Sequence, residues 1–180
     1  IVFGRKPRVK SPEQVLRELD ALHATGYRGL VFIVDDNLIG NKKELRRLLP
    51  LLQDWNRSHG DPFLYTAEAS VNLADDEALL EAMAAAHFTG VFLGIETPSV
   101  ESLRETKKLQ NTKRSLVDSV HTIQRAGILV SAGFIIGFDS DGPDIFDRQI
   151  EFIAQAGIPN AMLGLLFALY TTVLYPLLPR

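Results

Sequence analysis

Two hydrophobic rhythms alternate along this chain, a helical one and a strand-like one, with sharp punctuation between them. Ser11-Pro12-Glu13-Gln14 combines an N-cap serine, a proline at the first helical position and a capping-box glutamine. Val15, Leu16, Leu19 and Leu22 then fall on one helical face, and Gly26 supplies the left-handed stop. An apolar, β-rich run from Leu30 to Val34 follows and breaks at Asp35-Asp36-Asn37. The next helix, about Lys42 to Ser58, carries Leu45, Leu48, Leu49, Leu52 and Trp55, and Pro50 is expected to bend it.

The same cycle recurs. Phe63 to Ala67 reads as a strand ending at Glu68, Asp75 or Asp76 as the cap of a helix through Ala86, and Val91 to Ile95 as a strand ending at Glu96. A helix from near Thr112 carries Leu116, Val120 and Ile123 and stops at Gly127. Leu129 to Ile136 is a strand ending at Gly137-Phe138-Asp139, Pro143 opens a helix that stops at Gly157, and Ala161 to Leu166 is the last strand. The spacing between strand starts is that of one βα unit, and near-continuous apolar strands are what a helix-covered parallel sheet requires. Five such units fill 180 residues, whereas eight would not fit as a closed barrel. The fold class is therefore α/β, and the choice lies between a partial (βα) barrel and a doubly wound open sheet.

In parallel α/β folds the site lies at the carboxyl ends of the strands. Four predicted strand ends carry acid: Asp35 and Asp36, Glu68, Glu96, and Asp139 with Asp141. Some of these are equally readable as helix caps, Asp141 before Gly142-Pro143 above all. Glu96 precedes Thr97-Pro98 and not a helix, so capping does not account for it. His23, His59, His87 and His121 all fall on helices or helix ends, away from the acids, and are read as structural or exposed. The ring then suits an oxygen-ligated cation such as magnesium or a polar ligand bearing an amine or hydroxyls.

Composition narrows the chemistry. There is no cysteine, which excludes disulfides, thiolate nucleophiles and cysteine-held metal clusters within these residues. A net charge of −3 argues against general nucleic-acid binding. Neither GxGxxG after a strand nor GxxxxGK[ST] occurs. The chain opens on Ile1 and a basic stretch, Gly4-Arg5-Lys6-Pro7-Arg8, so residues 1–10 are read as a linker and 11–180 as one domain, cut from a longer protein. From Ile158 to Pro179 no residue is charged, but its position in the βα series favours a buried strand over a membrane span. A cytoplasmic location is expected, with no membrane partner.

Taken in order, several segments resemble the radical SAM superfamily, in its cobalamin-domain-containing branch. They are Gly4-Arg5-Lys6-Pro7-Arg8 running into Ser11-Pro12-Glu13-Gln14-Val15, then Phe32-Ile33-Val34-Asp35-Asp36-Asn37 with Ile39-Gly40-Asn41-Lys42. Thr66-Ala67-Glu68-Ala69-Ser70 with Asn72-Leu73-Ala74 follows, then Gly94-Ile95-Glu96-Thr97-Pro98, Gln110-Asn111-Thr112 and Gly133-Phe134-Ile135-Ile136-Gly137-Phe138-Asp139. The resemblance implies a six-strand partial TIM-type barrel of which five βα units are present, with the first strand and a CxxxCxxC cluster loop expected just before Ile1.

It also implies site roles. Asp35, Asp36 and Asn37 would contact the methionine part of S-adenosylmethionine, and Glu96 with Thr97 the ribose or methionyl group. Gly133, Ile135 and Gly137 would present backbone to the adenine. The family's pattern closes on a glutamate where this chain has Ser140, and Asp139 is the neighbouring candidate substitute. Glu68, Ser70 and Asn72 would face a small-molecule substrate. The implied cofactors are S-adenosylmethionine and a 4Fe-4S cluster whose ligands are absent from this chain, with cobalamin in a further domain. The implied chemistry is formation of a 5′-deoxyadenosyl radical or cobalamin-dependent methyl transfer, with the isolated chain inactive. Near Ala168 to Tyr175 the family more often has a Pro-Gly-Thr-Pro turn. Two other readings remain at this point: a noncatalytic binding domain that kept a polar pocket, and a magnesium-dependent barrel enzyme using Asp35, Glu68, Glu96 and Asp139. Without its first strand, the Leu30 to Val34 strand would have an unpaired edge, so the chain is expected to be poorly stable.

Overall fold

The computed structural model describes residues 9–105 and 115–167. Helix α1, Pro12–Ala24, starts at the predicted capping box: Gln14 N–H donates to Ser11 Oγ at 3.3 Å and Ser11 N–H to Gln14 Oε1 at 2.8 Å. Strand β1, Gly29–Ile33, leads through a short 3-10 turn, Leu38–Asn41, into α2, Lys42–Ser58. Pro50 lies inside α2 without ending it. Its position is exposed, so water can satisfy the carbonyl that a proline leaves without an N–H partner.

Strand β2, Phe63–Ala69, a 3-10 turn, Val71–Asp75, and α3, Glu77–Ala85, form the next unit. Asp76, one of the two candidate caps, is the N-cap, its Oδ1 accepting Leu79 N–H at 3.2 Å. Strand β3, Phe88–Glu96, begins three residues earlier than the hydrophobic run suggests. The left-handed backbone of His87, φ 66°, turns the chain straight from α3 into the sheet, and Tyr65 N–H donates to the His87 carbonyl at 2.9 Å.

Helices α4, Val100–Glu105, and α5, Leu116–Arg125, precede β4, Leu129–Ile136. The expected helix start near Thr112 and the Gln110-Asn111-Thr112 segment lie outside the described residues, as do residues 1–8 and the Ala168 to Tyr175 stretch. The last described helix, α6, spans Ile145–Ala156 and opens two residues after Pro143, the residue predicted to begin it. It stops at Gly157 in the left-handed conformation, φ 61°, as expected. Strand β5 is Asn160–Leu165.

All four strand pairings are parallel, and the order is β1-β2-β3-β4-β5. A doubly wound sheet reverses strand order at a switch point. This one does not, and its strands form a curled half-barrel, a partial TIM-type barrel. The core sits between the convex face and the helices. Tyr65, Leu79, Met83, Leu93, Ile123 and Val130 are all fully buried there, each large apolar side chain contributing roughly 2 kcal/mol. Leu30, Phe32, Leu64 and Leu129 are exposed and not buried, because alternate residues of each strand point into the open trough.

The last strand corrects one expectation. β5 was expected to be buried, but every one of its residues is exposed. Among the described residues it pairs only with β4, and no described helix follows it to cover its outer face.

Candidate functional site

The carboxyl ends of the strands frame a cavity of about 610 Å³ on the concave face, within the ~300–1,000 Å³ range usual for small-molecule sites. The four strand-end groups of polar residues do not enter it equally. After β1, Asp36 and Asn37 line the cavity. Asp35 instead accepts Asn37 N–H on Oδ1 at 2.9 Å and borders a separate cleft between α1 and α2. The carboxylate thus shapes the turn that presents its neighbours.

At the end of β2, Glu68 and Ser70 line the wall. Asn37 Oδ1 accepts Ser70 N–H at 3.1 Å, and the Ser70 hydroxyl lies within hydrogen-bonding distance of both Asn37 Oδ1 and Asn72 Oδ1. Two adjacent strand ends are therefore tied together by polar side chains. Asn72 serves that contact from the loop and does not border the cavity itself.

Glu96 closes β3 in the left-handed region, φ 69°. Such backbone is costly for a residue with a Cβ. The parallel register slips between Gly94 and Glu96 at the same point, and the result turns Glu96 onto the cavity wall beside Gly94 and Phe92. Thr97 is fully buried behind it, Oγ1 accepting Ser99 N–H at 3.2 Å.

Glycine shapes the β4 wall. A Cβ on Gly133 would stand 2.9 Å from Cζ of Phe92, so a larger residue would displace the ring that floors the cavity. Gly133 and Ile135 line the space, while Gly137, φ 101°, forms the turn just beyond it. Asp139 is exposed and away from the wall. The carboxylate that closes this turn is Asp141, whose Oδ2 accepts the N–H groups of Gly137 at 2.9 Å and Phe138 at 3.0 Å. The sequence leaves Asp141 open between a strand-end acid and a helix cap; the signal for its turn-closing role is an aspartate four residues beyond a glycine that follows a strand. Met162, Leu163 and Gly164 of β5 complete the far side.

Among the described residues, no three of His, Cys, Asp or Glu are grouped so as to hold a metal ion. The magnesium reading therefore lacks its ligand set. The histidines lie elsewhere: His59 stacks on Trp55 at 4.1 Å between ring centroids, His23 packs edge-on against both, and His87 Nδ1 is 3.0 Å from Asn56 Nδ2.

A small-molecule cavity with half-buried carboxylates on one wall and glycines on another suits a ligand that carries an ammonium group, hydroxyls and a flat ring. Residues 2–153 match the model of the Radical SAM superfamily. The chain belongs to that superfamily.

Over all 180 residues this radical SAM chain is 50% identical to an uncharacterised methyltransferase of Synechocystis, covering 34% of that protein. It is 40% identical over 179 residues, 99% of the chain, to the hopanoid C-2 methylase of Rhodopseudomonas palustris, again covering 34%. The chain thus spans about a third of the length of the curated relatives it matches. Among solved structures it resembles the radical S-adenosylmethionine methyltransferase TsrM of Kitasatospora setae, described with cobalamin and a [4Fe-4S] cluster, at a TM-score of 0.70 and 17% identity, over 87% of this chain and 31% of that one. The family uses S-adenosylmethionine and a 4Fe-4S cluster. This radical SAM chain has residues suited to the first and, with no cysteine in the sequence, none suited to ligating the second. No described helix is long and apolar enough to cross a membrane.

Proposed function

We propose that this chain forms the S-adenosylmethionine-binding part of a radical SAM methyltransferase that acts on an apolar acceptor. The observation that carries the reading is that the Glu68 and Glu96 carboxylates line one cavity together with the glycines of the neighbouring strands, Gly133 of β4 and Gly164 of β5. Asp36 and Asn37 would hold the methionine end, the carboxylate of Asp36 pairing with the ammonium. Glu96 would accept hydrogen bonds from the ribose hydroxyls. Gly133 and Ile135, with the turn at Gly137, would let backbone approach the face and edge of the adenine.

When bound, S-adenosylmethionine supplies the methyl group or the adenosyl fragment, and its activation belongs to a cluster ligated from outside these 180 residues and to cobalamin. By this reading the isolated chain is inactive. Glu68 and Ser70, with Asn72 fixing Ser70, would orient the acceptor on the substrate side. Below the polar rim is a second space of about 340 Å³, where Leu30, Phe92, Leu129 and Met162 stand among Thr66, Thr89, Ser131 and Asn160. The apolar acceptor is proposed from the name of the hopanoid C-2 methylase relative, and the apolar side chains of this mixed lining are the ones that would meet it.

The test is label transfer. Full-length protein, reconstituted with iron, sulfide and cobalamin, is given a reductant, S-adenosylmethionine deuterated at the methyl group, and an apolar lipid extract. Deuterated methyl in a lipid product is the expected result. Formation of 5′-deoxyadenosine from the cofactor with no labelled lipid would overturn the methyl-transfer reading.

A further inference from the structure

The loops that follow β3 and β4 are joined by a polar relay outside the cavity wall. Its members are unusually buried: Thr97 and Ser102 are 0% exposed and Ser99 is 2% exposed. Thr97 Oγ1 accepts Ser99 N–H at 3.2 Å, and Ser99 Oγ accepts Ser102 N–H at 3.3 Å. The Ser102 hydroxyl donates to Asp141 Oδ1 at 2.9 Å and sits 2.9 Å from the Ser140 hydroxyl. Asp141 Oδ2 then receives the Gly137 and Phe138 N–H groups. One carboxylate thus bridges two loops: the one leaving Glu96 and the one leaving Ile135 and Gly137. Glu96 ends β3 opposite Phe134 of β4, so the ladder fixes the spacing of the two strands, and what the bridge fixes is the path of the chain just beyond their ends.

We infer that Asp141 is a positioning residue for the ligand site: through Ser102 on one oxygen and the Gly137-Phe138 amides on the other, it fixes the turn at Gly137 against the segment that follows Glu96, and so the orientation of the groups presented at these two strand ends. It touches no ligand. Its effect is exerted through the amides, which have no free choice of partner once the carboxylate is in place, and through a serine of α4, the helix that follows Glu96. Removing the carboxylate strands two backbone donors and uncouples the loops. The inference rests on the proposed S-adenosylmethionine reading of the cavity, and its test separates the two.

The experiment uses full-length, cluster-reconstituted protein and calorimetric titration with S-adenosylhomocysteine, an unreactive probe. Asp141→Ala is expected to weaken binding about tenfold or more and to speed hydrogen exchange at the Gly137 and Phe138 amides. Asp141→Asn, whose side-chain oxygen still accepts both amides, is expected to restore most of the affinity and slow exchange. Ser102→Ala, which cuts only the second arm, is expected to weaken binding by about threefold with amide exchange unchanged. Asp76→Ala, remote from the cavity, supplies a control that loses stability without losing affinity. If the unaltered protein binds and Asp141→Ala binds within twofold of it, the inference fails while the reading stands. If Asp141→Ala does not fold, equal affinity of Asp141→Asn, Ser102→Ala and the unaltered protein overturns it. An unaltered protein that does not bind the probe overturns both.

Discussion

At the scale of single residues, two side chains carry a visible conflict between stability and role. Glu96 holds a left-handed backbone, φ 69°, that costs about 1 kcal/mol for a residue with a Cβ. Glu96→Gly is therefore expected to raise the unfolding free energy by about 1 kcal/mol in urea titration, while removing the carboxylate from the cavity. Tyr65 presents the opposite case. Its hydroxyl is buried with no hydrogen-bond partner among the described residues, and burial pushes the phenol pKa up. An unsatisfied buried hydroxyl costs about 1–3 kcal/mol, so Tyr65→Phe is expected to leave stability unchanged or raise it; a loss greater than about 1 kcal/mol would show that the hydroxyl is satisfied in solution. Neither feature was legible in the sequence. A glutamate after an apolar run reads as a strand-end acid, but its backbone angle follows from the register slip against β4, which involves residues far along the chain. Asp35 and Asp139 were placed with the site by their neighbours in sequence; the turn geometry sends the first to another cleft and leaves the second exposed.

Elements were far more legible, because their signals are local. Capping residues and glycine stops placed α1 and α2 within a residue or so of their observed ends, and four of the five strands started within one residue of where the apolar runs predicted. Two boundaries moved: the His87 turn, tied to Tyr65 N–H, extends β3 backwards, and α6 begins at Ile145, two residues after Pro143. The α3 cap illustrates an element-scale dependence on pH. Burial raises the Asp76 pKa, but hydrogen bonds from Arg46, Lys42 and the Leu79 N–H outweigh it and hold the carboxyl below its ordinary value. A carboxyl lowered in the folded state adds stability above its unfolded pKa and loses it as pH falls through the folded value. Unfolding titrations should therefore show stability falling below about pH 4, with a smaller fall in Asp76→Ala. At neutral pH that variant should lose about 1 kcal/mol for the cap.

For the whole molecule, the half-barrel leaves apolar surface in its trough and, among the described residues, an unpaired edge on both β1 and β5. Val34 beside the first edge is 85% exposed and Leu165 on the last strand 71%. Such edges template pairing with other chains. Sedimentation velocity on the 180-residue chain should show association that grows with concentration and is reduced by Val34→Lys; a monomer at all concentrations would contradict this. The sequence pattern carried the βα repeat, and so the fold class, but left the arrangement of the sheet undecided. Only the unreversed strand order decides for a partial barrel. Binding of S-adenosylmethionine in the strand-end cavity is proposed to run through Glu96. Equilibrium titration of the full-length, cluster-reconstituted protein with S-adenosylmethionine tests it most directly, comparing the unaltered protein with Glu96→Ala, which keeps a Cβ at the strained position and deletes only the carboxylate. A single saturable site whose affinity falls about tenfold or more in Glu96→Ala is the predicted result, and equal affinity of the two proteins would contradict the account.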